Sequence, residues 1–348
     1  MSMFYIHQAI CISPQDTFSG SVPALLHDAV DNKLTVIEPT YAGVSPGILR
    51  RFGKAARIGI GAAMPLIQAG ITPDGLIIGT ANGGMEESIR FLKQIVEYNE
   101  DMLAPGSFVQ STANATASQL GMVTKNNSYN ITHVHKAHAF ENAVIDTAMM
   151  LNEHPGNTYL LGGVDEIGTY NYNIEFGAGW YKKENISATQ LYTSGTPGSI
   201  AGEGAAMFLV NDQKEKCIAA LGGLAVVHSN DPEQVKERMK VLLETNLPAG
   251  EKIDLFITGE NGDNRYAEFF SACESLLDDS ITVVRYKHMC GEYPTASAFA
   301  AWLACYLLSE QTIPVHMIKK KGLTGPLKNI LIYNFYQGIQ HSFMLISL

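Results

Sequence analysis

What is scarce in this chain narrows its function before any motif is considered. Only five cysteines occur in 348 residues (Cys11, Cys217, Cys273, Cys290 and Cys305), and no two stand at CxxC spacing. Their number and scatter exclude a disulfide framework and a zinc ribbon and fit a reduced compartment, so a cytoplasmic location is expected. Basic runs are short: Lys319-Lys320-Lys321 is the longest, in a chain of formal net charge −10. Nucleic acid is therefore not an expected partner. No stretch reaches about 18 uninterrupted apolar residues, so no membrane span is expected. The opening MSMFYIHQAICISPQD lacks the basic start and long apolar run of a signal peptide. Charged residues make up 17% of the chain, a thin covering that suggests part of the surface lies against a partner.

What is present is an alternation. Short apolar runs bounded by Gly or Pro predict strands at 74–80, 158–166, 205–210, 253–259, 280–286 and 329–336. Their near-continuous Val, Ile and Leu indicates strands covered on both faces. Stretches of helical period lie between them at 88–103, 138–153 and 297–311, the last apolar on nearly every side and so expected between sheets. The pattern predicts an α/β chain with mixed, mostly parallel sheets around buried helices. A strand ending in Gly79-Thr80 and a later one ending in Thr258-Gly259 suggest two similar βα halves, placed at 1–215 and 216–348. The stretch 184–202, rich in Ser, Thr and Gly, is the most linker-like.

Several local motifs fall into one order. "LRRFGKAARIGIGAA" (49–63), "GLIIGTANGGMEESIRFL" (75–92), "PGSFVQSTANATASQLG" (105–121), "LLGGVDE" (160–166) and "GEGAAMFLV" (202–210) together resemble the β-ketoacyl synthases. "YKHMCGEYPTASAFAAW" (286–302) resembles that family's Lys-x-x-x-Gly-His-x-x-x-Ala segment, and "NFYQGIQHS" (334–342) its glycine-rich closing loop. The resemblance implies a thiolase fold assembled as a homo- or heterodimer, without cofactor or metal.

The resemblance also implies a catalytic set that this chain lacks. Such enzymes hold an acyl group on a cysteine at a buried helix N-terminus, where the dipole and free N–H groups stabilise thiolate and oxyanion. Two histidines assist decarboxylation of the second substrate. The family's cysteine stands five residues before a helical His, here His138-Ala139-Phe140, and counting back gives His133; no cysteine occurs between Cys11 and Cys217. The first histidine position falls at about Gly259, and the second at Glu292, beside Lys287 and Gly291. An ionised Glu292 would repel an enolate unless burial kept it protonated. Phe335, Tyr336 and Gly338 fall in the closing loop, where the family places an aromatic gate, although Phe335 reads equally well as core packing.

The triplet His133, His135 and His138 has other readings. A metal site would need the first two on extended backbone and further ligands, and none is apparent nearby. Alternatively one or two of the histidines are hydrogen-bonded fillers at a helix start. Cys290 could be a relocated nucleophile, but a lone cysteine is more often a small buried apolar residue. "GTANGG" (79–84) lacks the Gly-Lys-Ser/Thr of a phosphate loop. The expected function is therefore a degenerate ketosynthase-like subunit of polyene or fatty-acyl biosynthesis. Within that family it most resembles the cysteine-less chain-length factors of bacterial aryl-polyene and flexirubin pathways. Its expected partners are an active ketosynthase and an acyl carrier protein. The alternatives are an acyltransferase or malonyl decarboxylase using His133 and Glu292, and a non-catalytic acyl-binding homodimer.

Overall fold

The computed structural model describes residues 4–348 except 69, 102, 104, 249 and 324. Its first repeat carries β1 (Phe4–Ile12), α1 (Lys54–Gln68), β2 (Gly75–Thr80), α2 (Met85–Glu97), α3 (Ala115–Thr124), β3 (Tyr129–Val134), α4 (Ala139–Glu153), β4 (Tyr159–Asp165), α5 (Thr169–Gly177) and β5 (Gly204–Asn211). The second carries β6 (Ala219–His228), α6 (Pro232–Asn246), β7 (Leu255–Thr258), α7 (Ala267–Glu274), β8 (Thr282–Arg285), α8 (Lys287–Cys290), α9 (Ala296–Glu310), β9 (Ile318–Lys320), β10 (Asn329–Tyr336) and β11 (Gln340–Ser347).

These eleven strands form one sheet in the order β9-β8-β7-β10-β11-β6-β1-β5-β4-β2-β3, and residues 33–34 pair separately with 201–202. Counted within its own repeat, the first half has the order 3-2-4-5-1, and the second has the same order once its extra edge strand β9 is set aside. The sheet is mixed. β3, β2 and β4 form a parallel block in the first half, and β8, β7 and β10 form its counterpart in the second. Antiparallel pairing of β1 with β6 joins the halves, and the chain crosses between them through residues 212–218.

Burial explains which runs were readable. Every residue of β2, β4 and β10 is buried, so their apolar runs are continuous. The apolar runs do not mark β1, β3, β6, β9 or β11; β1, β3, β6 and β9 contain many positions that are not buried, which dilutes the signal. α4 starts at Ala139, one residue inside the expected 138–153, and His133 before it lies in β3 and not in a helix. α2 ends at Glu97, short of the expected 103, and Met102 lies outside the described residues.

α9 is buried at twelve of its fifteen residues and touches strands of both repeats, β1, β4 and β5 on one side and β10 and β11 on the other. Small residues permit this approach: a Cβ on Gly163 of β4 would lie 2.7 Å from that of Ala298. The stretch 184–202 is not a linker. Asn32 donates to the carbonyls of Lys182 and Glu184, while Leu191 and Ile200 are fully buried.

Candidate functional site

Two motifs meet because both offer a glycine at one point. A Cβ on Gly202 would sit 2.0 Å from the Cys290 carbonyl oxygen, and one on Gly291 would sit 2.5 Å from the Gly202 Cα. Gly291 also has φ 74°, a backbone that a side chain disfavours. With both bare, Glu292 N–H donates to the Ile200 carbonyl and Gly202 N–H to that of Glu292. This backbone clasp turns the Glu292 side chain inward.

There Lys287 Nζ donates to Glu292 Oε1 at 2.7 Å, and Asn261 Nδ2 to Oε2 at 2.8 Å. Both charged side chains are buried. Burial pushes the Glu292 pKa up, and Lys287 opposes the shift. Glu292 shares its pocket with Phe335 and Tyr336, as the sequence suggested, and with Glu175, Tyr181 and Trp180, which the sequence reading missed. Tyr181 O–H donates to Glu175 Oε2 at 2.5 Å, and Lys136 reaches Oε1 at 3.2 Å. Free volume in the pocket is about 10 Å³, roughly one water, so an acyl chain does not fit this side-chain arrangement.

The other expected site residues are dispersed. Gly259 packs its backbone on β10, where a Cβ would lie 2.7 Å from the Tyr333 carbonyl oxygen. No histidine could occupy that position without moving the strand. Phe335 lines the pocket but is also fully buried among Tyr266, Phe269 and Phe270. Gly338 turns the closing loop at φ 81° beneath the Tyr266 ring. Burial pushes the Cys290 thiol well above its ordinary pKa, and it donates to the Gly291 carbonyl, so it is no thiolate nucleophile.

His133 does not stand at a helix start. It lies within β3, and its Nε2 is 2.9 Å from Asp146 of α4, which also accepts from Tyr129 O–H. Nor does it line the Glu292 pocket. His135, unassigned by sequence, accepts from the N–H groups of Ala137 and His138 through Nδ1 and so closes the turn into α4. His138 is the residue at the N-terminus of α4, buried and stacked on His135 with ring centroids 5.3 Å apart. Burial, reinforced by His135, lowers its pKa to about 4, and its Nε2 has no partner among the described residues. The triplet is thus divided, with His133 turned to Asp146 while His135 and His138 stack on each other, and it forms no metal cage. Among the described residues no group of three His, Cys, Asp or Glu side chains could hold a metal ion.

Asp165, at the end of "LLGGVDE", explains the "GTANGG" loop. Its carboxylate accepts from Thr80 O–H, from Ala81 and Asn82 N–H, and from Thr295 O–H at the head of α9. Burial still raises its pKa to about 6. This acid pins the loop after β2 to the second repeat, a structural role a phosphate loop does not have.

The geometry now has relatives to stand beside. Residues 30–174 match the family described as "Beta-ketoacyl synthase, N-terminal domain". The whole chain superposes on a β-ketoacyl synthase from Burkholderia phymatum STM815, with a TM-score of 0.77 and 14% identity, covering 100% of this chain and 99% of that one. A ketosynthase, ApeO, in complex with its chain length factor, ApeC, from Xenorhabdus doucetiae gives a TM-score of 0.75 at 13% identity, covering 99% and 98%. AntDE:AntF, a type II polyketide acyl-carrier protein in complex with its ketosynthase, reaches 0.80 at 14%, with the same coverage. No curated protein matches by sequence. The chain therefore has the thiolase-like fold of the β-ketoacyl synthases, with the family match confined to residues 30–174. Ketosynthase and chain length factor pairs are among its structural neighbours. Among the described residues no helix is long and apolar enough to cross a membrane.

Proposed function

We propose that this chain is a chain-length-factor-like subunit that pairs with an active ketosynthase and performs no condensation itself, within polyene or fatty-acyl (polyketide) biosynthesis. One observation carries the pairing. Among the described residues β3 pairs only with β2, leaving the outer edge of the long sheet open. Exposed apolar side chains flank that edge: Val134 on β3, Met122 on α3, and Ile145 and Met149 on α4, the two helices packed on β3. An open edge with an apolar border needs a cover.

The chemistry supports the second half of the reading. The turn into α4 offers histidines and no thiol. Position 259 has no room for a side chain, and Glu292 is engaged by Lys287 and Asn261. A mechanism joining His133 to Glu292 finds no support, because each is committed to different partners.

Tagged co-expression with a cysteine-bearing ketosynthase, followed by size-exclusion chromatography, tests the reading. The pair should co-elute at the mass of one copy of each. Elution as a homodimer with no ketosynthase bound would favour the acyl-binding scaffold and overturn the proposal.

A further inference from the structure

A second cavity lies at the opposite end of the sheet from the Glu292 pocket. Lys287 and Glu292 follow the C-terminal end of β8. The second cavity instead opens beside the starting ends of the parallel strands, at Ile253 and Asp254 before β7, Thr282 in β8 and Leu327 before β10. Its volume is about 580 Å³, within the range of small-molecule sites. The proposed ketosynthase pairing does not use this region, since β3 is at the far edge.

Its lining is divided by chemistry. Ile253 and Leu327 form a buried floor, Ile313 and Ile318 half-buried walls, and Val315 and Leu323 the rim. The rim residues are 84% and 77% exposed, among the most exposed large apolar side chains of the protein. Each leaves apolar surface in water that a covering ligand would bury. Lys252 and Lys321 supply two ammonium groups against the single carboxylate of Asp254. That carboxylate is already turned to the N–H groups of Lys328 and Asn329. Lys252 is paired with Asp278, whereas Lys321 makes no ion pair among the described residues. An apolar trough with one unpaired ammonium at its lip matches a linear alkyl chain ending in an anion.

We propose that this crevice binds an unbranched alkyl carboxylate, with its chain along Ile253, Ile313 and Ile318 and its head at Lys321. The test is calorimetric titration of the full chain with decanoate, with decyltrimethylammonium as the opposite-charge control. The parent protein should bind decanoate saturably at one site and at least tenfold more tightly than the cation. Lys321→Glu should weaken decanoate at least fivefold. Ile313→Trp, a half-exposed position that tolerates bulk, should abolish binding by filling the trough. Absence of saturable binding, equal affinity for the cation, or parent-like affinity in both variants overturns the proposal. None of these outcomes bears on the ketosynthase pairing, which size exclusion reads separately.

Discussion

At the scale of single residues, the Lys287–Glu292 pair is the feature most open to test. Removing one member of a buried pair strands the other, so Lys287→Met should destabilise by about 3–5 kcal/mol. Replacing both, as Lys287→Met with Glu292→Leu, should recover most of that loss, since Asn261 alone is then left without its partner. Denaturant titration of the three proteins reads both effects. If the single variant is as stable as the parent, the pair is not buried as described. Buried histidines give a pH signature. Burial lowers His138 and His341 to about 4, while an unfolded histidine titrates near 6.5. The unfolded chain therefore takes up protons first, and stability is lost as pH falls from about 6.5 towards 4, at up to about 1.4 kcal/mol per pH unit for each group. His138→Gln should remove its share of that slope, read as a shallower fall in unfolding midpoint between pH 6.5 and 4.5. An unchanged slope would show that His138 titrates normally. Glu166 acts with the opposite sign. Burial, then the neighbouring Glu203, raises it to about 7, so the stability it lends at low pH is lost as pH rises towards 7. Glu166→Gln should therefore stabilise at pH 8 and change little at pH 4.5.

At the scale of elements, glycines decide how closely helices and strands approach. A Cβ on Gly79 would lie 2.5 Å from the Ala139 carbonyl, so β2 and the first turn of α4 are in backbone contact. Gly79→Ala should cost about 1–3 kcal/mol by overpacking, whereas Gly156→Ala, strained in φ but open in space, tests the backbone term alone. A Gly79→Ala thermal midpoint equal to the parent's would contradict the contact. The same elements mark how far the sequence could be read. Strands buried on both faces announced themselves through unbroken apolar runs, and α9 through its all-round apolarity. β3 did not, because its residues are half-buried on a sheet edge and three histidines nearby suggested a helix head. The count back from His138 crosses the turn closed by His135 and ends at His133, inside a strand and not at a helix start. Lys287, Glu292 and Tyr336 lie in segments that carry motifs, whereas Glu175 and Tyr181 come from a helix and loop with no motif of their own. Only the fold brings them in.

At the scale of the whole molecule, two repeats that share the order 3-2-4-5-1, the second extended by β9, make one sheet whose first-repeat edge is open among the described residues. At the other edge, β9 adds an antiparallel strand carrying Lys319 and Lys320, and such charges discourage further pairing. This asymmetry argues that a partner meets the β3 side. Val134→Glu, placing a charge on that edge, should weaken association with a ketosynthase at least tenfold, equivalent to about 1.4 kcal/mol, while leaving the unfolding midpoint near that of the parent because Val134 is 56% exposed. An unaltered affinity would place the partner elsewhere. The most direct measurement is intact-mass analysis of the co-purified pair after incubation with acyl- and malonyl-loaded carrier protein. An acyl adduct should appear on the cysteine-bearing partner and none on this chain. An adduct on this chain, or its failure to travel with any ketosynthase, would contradict the reading of a subunit that has kept the fold and given up the chemistry.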